Sequence, residues 1–483
     1  MIDTKALRSR VLDLAIQGKL TEQLAEDGTA DELYAEIQAE KQRLIQEGKL
    51  KKEKPLPEIK PAEVPFEIPK NWKWVRLGNI GNWSAGSTPS RHNPDYYKGE
   101  IPWLKTGELN DGYVDKVSEY ITEKALSECS LRLNPAGSVL IAMYGATIGK
   151  LGILNISATT NQACCACIPY EGIDNLFLFY FLLCERSRFI NKGHGGAQPN
   201  ISKEIIINSM IALPPLAEQK RIVARVEEIF RLLDTIDAAQ EQYAADAESL
   251  KAKLITLGIQ GKLTEQLAED GTAEELYQQI QAEKQRLIKE GKIKKEKPLP
   301  EIKPEEVPFE IPGNWKWCRL GQLVTIRGGK RLPAGRSLLT EPNDHIYVRV
   351  TDMQNGTILD NDLRYVPDDI YPSISRYIIE ENDIYIVIVG STIGKTGTVP
   401  KKFSGMCLTE NAVRLTPILS ETEYLYRIAS SAFAQRQFYD KTHQTGQPKL
   451  AINRLETALI PLPPLAEQKR IADRLEELLG ALA

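Results

Sequence analysis

The feature that most restricts this fold is a nine-residue motif present twice. Pro214-Pro215-Leu216-Ala217-Glu218-Gln219-Lys220-Arg221-Ile222 returns as Pro463-Pro464-Leu465-Ala466-Glu467-Gln468-Lys469-Arg470-Ile471. A proline pair cannot continue a helix but can precede one. Between 213 and 263 apolar residues then recur at steps of four and three, as Ile222, Val226, Ile229, Leu233, Ile236, Tyr243, Ala247, Leu250, Leu254 and Leu257, with Gln240 the polar exception. A helix of this length spans on the order of 60 Å at ~1.5 Å per residue. A two-in-seven stripe is narrow for a globular core and fits one partner helix in a coiled coil.

The partner is expected from the two chain ends. Leu475 and Leu478 repeat Val226 and Ile229, so the C-terminal segment copies the front half of the central helix. Leu7, Val11 and Leu14, leading into Ile16-Gln17-Gly18-Lys19-Leu20-Thr21-Glu22-Gln23-Leu24, match Leu250, Leu254 and Leu257 leading into Ile259-Gln260-Gly261-Lys262-Leu263-Thr264-Glu265-Gln266-Leu267. Placed end to end, the terminal helices would form a broken second copy of the central one, paired antiparallel about a pseudo-twofold axis.

A chain of 483 residues is long enough for two or more domains, each with its own core. Its 42% hydrophobic and 26% charged residues are ordinary for a soluble protein. The most apolar runs, near 176–183 and 384–389, are too short to span a bilayer, and the first residues lack an apolar signal core, so a cytoplasmic protein without a membrane partner is expected. Seven cysteines, including Cys164-Cys165-Ala166-Cys167, are an odd set for a disulfide framework. No second Cys/His pair stands at zinc spacing, so no metal site is expected. The net charge of −4 leaves room for a local basic face, because Glu-rich helices elsewhere can cancel it.

Along the chain, a helix is expected over 30–47, with Asp27 or Thr29 as N-cap and Gly48 as its end. Lysines 49, 51, 52 and 54 lead into the proline-spaced linker Pro55-Leu56-Pro57-Glu58-Ile59-Lys60-Pro61, and the whole segment recurs over 271–304. Asn71-Trp72-Lys73-Trp74-Val75-Arg76-Leu77-Gly78 then opens a new composition, repeated at Asn314-Trp315-Lys316-Trp317-Cys318-Arg319-Leu320-Gly321. Beyond it the two copies share landmarks while their sequences diverge, which suggests one fold carrying two surfaces. Each mixes β-rich runs, such as 138–142 and 384–389, with one helix, near 176–189 or 421–439. The expected organisation is a helical segment over 1–60, a mixed α/β domain over 61–213, a central helix and linker over 214–304, a second α/β domain over 305–462 and a terminal helix over 463–483.

Catalytic motifs fail on specific requirements. The loops at 145–150 and 390–396 follow strands but place three residues, not four, between glycine and Gly-Lys, and the first lacks the Ser/Thr of a phosphate loop. Asn93-Pro94-Asp95-Tyr96 departs from the Asn-Pro-Pro-Tyr signature of amino-methylating enzymes at Asp95. Glu58-Ile59-Lys60 and Glu301-Ile302-Lys303 lie in proline-rich linkers where no sheet can hold a nuclease metal. Four scattered histidines offer little acid–base chemistry.

Binding to nucleic acid fits better. The 84–105 loop carries Ser87, Thr88, Arg91, Lys98 and Lys105; the second domain offers Arg319, Arg327, Lys330, Arg331 and Arg336 beside Gly328-Gly329 without an intervening acid, and Arg349 follows. Lys150 and Lys395 close the glycine loops. Gln198, Asn200, Gln444, Gln447 and Lys449 lie in loops just before the return to the long helices. Lysine and arginine neutralise phosphates, while Arg, Asn and Gln read base edges. Trp72, Trp74, Trp315 and Trp317 are expected in packing rather than in base stacking.

Taken together, these motifs resemble the specificity subunit of type I restriction–modification systems over essentially the whole chain: Trp-x-x-x-x-Leu-Gly at Trp72 and Trp315, the Gly-x-x-x-Gly-Lys loops, the Gln-Pro pairs at Gln198 and Gln447, and the Pro-Pro-Leu-Ala-Glu-Gln-Lys-Arg-Ile exits. The resemblance implies a non-catalytic chain in which two target-recognition domains each read half of an asymmetric, interrupted sequence in double-stranded DNA while the helices fix the gap. It further implies two adenine methyltransferase subunits and two restriction–translocase subunits as partners, with S-adenosylmethionine, ATP and Mg used by them and no cofactor held by this chain. The competing expectation is a coiled-coil adaptor whose two α/β modules bind proteins.

Overall fold

The computed structural model describes residues 1–192, 200–442 and 448–482. The chain divides into two compact units, Met1–Glu241 and Gln242–Ala483, and the 44-residue helix Leu216–Ile259 carries residues of both.

In the first unit, helix Thr4–Ile16 is started by the Asp3 carboxylate, which accepts from the Ala6 amide. It runs antiparallel to the front half of the long helix. Thr4 donates to Asp237 at 2.5 Å, Arg8 donates to Asp234 at 2.7 Å, and Gln240 accepts from the Ile2 amide. Leu12, Ala15 and Ile16 are buried in one cluster with Ile222 and Val226. Helix Ala30–Gln46 follows. Of the two candidate caps Thr29 takes the role, in a reciprocal capping box with Glu32. Gly48 ends the helix at φ +70°, a conformation open to glycine.

The α/β part of this unit is closed by its own ends: strand Lys73–Arg76 pairs antiparallel with Met210–Leu213, so the residues entering and leaving the domain lie side by side. The main sheet has five strands in the order Gly81–Ala85, Cys164–Pro169, Val139–Ala142, Leu151–Leu154, Gly112–Val114. Helix Asn175–Lys192 covers it, burying Phe177, Phe181 and Phe189. Cys164, Cys165 and Cys167 are interior residues of the sheet, and burial pushes the Cys165 thiol up to about 12, far from a reactive thiolate.

The second unit repeats the plan. Strand Lys316–Arg319 pairs antiparallel with Leu459–Leu462, and the main sheet has the order Val324–Gly328, Ala412–Pro417, Ile384–Val387, Thr396–Thr398. Helix Leu465–Gly480 runs antiparallel to the back half of the long helix, where a Cβ on Gly258 would lie 3.3 Å from Ile471 and Leu475.

Two expectations are corrected. The seam does not pass through Tyr243, Leu250 and Leu257, which are exposed; the back half packs through Leu254, Ile255 and Ile259 instead. The reason is that the terminal helix lies over Gly258, which centres the back-half contact on the face of Leu254, Ile255 and Ile259. The front half is packed on a second side as well, where Tyr180, on the sheet-covering helix, meets Phe230 edge-on at 5.9 Å. A helix buried on two sides needs a wider and differently centred stripe than a coiled-coil seam. The single helix expected near 421–439 is two, Thr422–Ser430 and Ala432–Asp440. Ser431 is extended between them, and its hydroxyl caps the second by accepting from the Ala434 amide.

Candidate nucleic-acid interface

In each unit, three strands of the main sheet end together, and the loops leaving them are stitched through their backbones. In the first, the Gly86 amide donates to Cys164, Ser87 to Thr160, Met143 to Ala163 and Ile201 to Met143, at 3.0, 3.0, 2.7 and 2.8 Å. In the second, Gly329 donates to Ala412, Lys330 to Leu408, Ile388 to Asn411 and Leu450 to Ile388, at 3.2, 2.9, 2.8 and 2.9 Å. The glycines are required by this close approach. A Cβ on Gly86 would collide with the Thr160 carbonyl oxygen, and one on Gly329 with those of Leu408 and Thr409. Both units therefore hold the same platform of loop segments, and the side chains on it differ.

On the first platform, Ser87 is anchored by its carbonyl, which accepts from the Trp103 indole at 3.1 Å. The Arg91 guanidinium lies 4.5 Å from the Tyr97 ring centre and 5.2 Å from that of Trp103. Its Nη1 sits 2.8 Å from Glu119 Oε2, an ion pair without an aligned hydrogen bond, while Lys105 Nζ donates to Glu119 Oε1 at 2.8 Å. Arg91, then Lys105, hold the Glu119 carboxyl below the usual range. Ser87, Arg91 and Lys105 thus form one cluster, with Thr88 exposed on the same loop.

The second platform reaches a similar end by other residues. Arg331 Nε donates to Glu410 Oε1 at 3.0 Å, and the Tyr347 hydroxyl is placed to donate to Glu410 Oε2 at 3.1 Å. Burial pushes the Glu410 carboxyl up, but its own backbone amide, Tyr347 and Arg331 outweigh this, and the net shift is downward. Lys330 Nζ lies 5.9 Å from the Tyr377 ring centre.

The remaining predicted residues scatter around these clusters. Lys98 is exposed with φ +64°. Lys150 and Lys395 end tight turns whose glycines Gly145, Gly149, Gly390 and Gly394 all have positive φ. Asn200 and Lys449 border the platforms, Lys449 in a bridge with Val389. Arg336 pairs with Asp369, Arg327 donates to the Lys292 carbonyl at 2.6 Å, and Arg349 is held by Asp352 at 2.6 Å and by Asp362. Gln198, Gln444 and Gln447 lie outside the described residues.

Arg319 is a correction to the basic set. It is buried and grips the proline-rich linker through the Pro300 and Glu301 carbonyls and the Glu306 carboxylate, as Arg76 does with Pro57, Glu58 and Glu63. Sequence reasoning missed Glu119 and Glu410. Nothing in the chain order links Glu119 to Arg91, and Glu410 stands 79 residues from Arg331. Among the described residues there is no cluster of three or more metal-ligating side chains, and no helix is long and apolar enough to cross a membrane.

Comparison with known proteins adds a family. The model for the type I restriction modification DNA specificity domain matches residues 69–242 and again 312–482. The specificity subunit of the type I restriction enzyme EcoAI from Escherichia coli is 28% identical, over 98% of this chain and 89% of its own length. That of MjaIX from Methanocaldococcus jannaschii is 25% identical, over 82% and 84%. Among solved structures, the HsdS subunit from Thermoanaerobacter tengcongensis superposes with a TM-score of 0.51 at 19% identity, covering 87% of this chain and 93% of that one. A chain from a study of the assembly and conformational transition of the type I R-M system gives 0.57 at 20% identity, covering 86% and 92%. These structural likenesses establish a shared fold.

Proposed function

Because the chain belongs to the type I restriction modification DNA specificity family, we propose that each of its two domains reads one half of an asymmetric, interrupted DNA sequence. The observation that carries this reading is the duplicated platform: the same backbone bonds hold the loops in both units, while the cations on them differ, Arg91 and Lys105 in one and Lys330 and Arg331 in the other. One scaffold with two unlike surfaces suits two unlike half-sites. A second copy of the same surface would suit a palindrome.

In this reading the chain supplies recognition and the chemistry belongs to its partners. Two adenine methyltransferase subunits using S-adenosylmethionine, and two restriction–translocase subunits using ATP and Mg, assemble with it. The long helix sets the separation of the half-sites, which on one side of a duplex fall about one turn, ~34–36 Å, apart. The curated relatives support the recognition role by name, as specificity subunits of type I restriction enzymes. The DNA contacts are assigned to Ser87, Thr88, Arg91, Lys98, Lys105, Lys150, Gln198 and Asn200 in the first domain. In the second they are Arg327, Lys330, Arg331, Arg336, Arg349, Lys395, Gln444, Gln447 and Lys449.

The test is to express the chain with its adenine methyltransferase subunit and map N6-methyladenine across a genome. The expected result is one two-part, non-palindromic sequence with a constant gap. Methylation without sequence preference, or at a single uninterrupted palindrome, overturns the reading.

A further inference from the structure

The two domains share a feature that their repeated motifs do not predict. Each places a carboxylate of equal accessibility, 29% for Glu119 and for Glu410, against an arginine of the glycine loop. The carboxylates come from unrelated places: Glu119 just before strand Tyr120–Ile121, and Glu410 from the turn between Cys407–Leu408 and Ala412–Pro417. The arginines remain accessible, 54% for Arg91 and 75% for Arg331.

An acid beside a DNA-contacting cation weakens attraction to phosphate, so its presence at both sites calls for another role. Each carboxylate engages one edge of a guanidinium and, among the described residues, the rest of the fork has no hydrogen bond: Glu119 forms an ion pair with Nη1 of Arg91, and Glu410 accepts from Nε of Arg331. Each carboxylate is itself braced, Glu119 by Lys105 at 2.8 Å and Glu410 by Tyr347, whose hydroxyl lies 3.1 Å from Glu410 Oε2 and 3.0 Å from the Lys330 carbonyl. Arg91 is further confined against the Tyr97 and Trp103 rings. A flexible arginine reaches any nearby phosphate, whereas one held by an edge presents fixed donors. Fixed paired donors match the two acceptors, O6 and N7, that guanine shows in the major groove.

We propose that Glu119 and Glu410 are specificity-determining positioning residues, each orienting one arginine, Arg91 or Arg331, to read a guanine in its own half-site. The proposal rests on the DNA-reading function above and names residues through which that function discriminates.

The test uses the full chain assembled with the methyltransferase subunit, with methylated sites sequenced for wild type, E119A, E119Q, R91A, E410A, E410Q and R331A. The expected result is that E119A and R91A relax the same single guanine position in one half-site, lowering its discrimination about tenfold. E410A and R331A do the same in the other half, and each glutamine variant, which keeps an acceptor oxygen, loses less. A merely structural carboxylate would lower methylation at all sites without changing their sequence, and that result overturns the proposal. So does a glutamate variant with an unchanged pattern, or one whose relaxed position differs from that of its arginine. If an alanine variant fails to assemble, its glutamine counterpart must relax the same position as the arginine variant, and an unchanged pattern there overturns the proposal. Failure of wild type to methylate any two-part sequence would instead overturn the DNA-reading function itself.

Discussion

The Trp72 indole Nε1 donates to the buried carboxylate of Glu218 at 2.8 Å, and this bond joins three repeated motifs at one point. Glu218 opens the long helix, Trp72 opens the first α/β domain, and Gln23, which follows the N-terminal helix, donates to the same carboxylate at 3.0 Å. The second unit repeats the joint: Trp315 and Gln266 both donate to Glu467, each at 2.9 Å. Motifs far apart in the chain recur together because each supplies part of one hydrogen-bond set around a buried carboxylate.

Removing that carboxylate should be costly, since it leaves the buried Trp72 indole without its partner. E218A is expected to lower the stability of the first unit by about 2 kcal/mol. W72F, which removes one donor from a carboxylate that keeps others, should lose clearly less than E218A. Urea unfolding curves of the three proteins check the order; a loss in E218A smaller than in W72F would contradict the joint.

Asp27 shows how the same region responds to acid. Arg221 donates to its two oxygens at 2.7 and 2.5 Å, and this pairing holds the carboxyl below its ordinary value; Arg470 does the same for Asp270. A carboxylate with a depressed folded-state pKa stabilises the fold fully above its unfolded value, about 3.9, and loses that contribution as pH falls through the folded value. D27N and D270N should therefore be less stable than wild type at neutral pH, and the difference should shrink below about pH 4. Denaturation midpoints measured from pH 7 to pH 3 check the sign. A difference that grows on acidification would refute it.

How much of this was legible in the sequence depends on whether it was written as a repeat or only as a contact. The antiparallel packing of each terminal helix followed from copied residues, because Leu475 standing for Val226 implies an equivalent neighbour. The choice of seam did not follow. Tyr243, Leu250 and Leu257 keep the same three-and-four spacing as Leu254, and spacing cannot show that the terminal helix settles over Gly258 and turns that face inward. Arg319 illustrates the opposite confusion. As a letter it belongs with Arg327 and Arg331, yet its position opposite the linker carbonyls makes it a buried clamp. Glu119 was invisible for a related reason, since a lone glutamate in a chain that is 26% charged reads as solvated surface until its partner is seen.

Lysines on the glycine turns should behave differently from the arginines held by Glu119 and Glu410. Lys150 is exposed and has no hydrogen bond or ion pair from its side chain among the described residues, as expected for a phosphate contact. K150A should weaken DNA binding by the assembled complex uniformly across sequences and reduce the slope of log affinity against log salt by about one. The recognised sequence should not change. Competition binding over a range of salt concentrations measures both effects, and an altered half-site would reassign Lys150 to base reading.

The long helix should set the gap between the two half-sites. Gln240 is tied to Ile2, and Lys251 lies in the region packed near Leu479, so the exposed residues between 241 and 247 are the part of Leu216–Ile259 least committed to either terminal helix. Four residues inserted there add about 6 Å of rise and about 40° of rotation beyond a full turn, because a helix advances 1.5 Å and 100° per residue. Four is therefore a mild insertion in angle and a substantial one in length. At ~3.4 Å per base pair, the gap in the recognised sequence should lengthen by one or two base pairs, with both half-sequences intact. Methylation mapping of the insertion variant reads gap and halves together. An unchanged gap would mean that the helix does not set the spacing, and altered halves would mean that the insertion had disturbed the domains that read them.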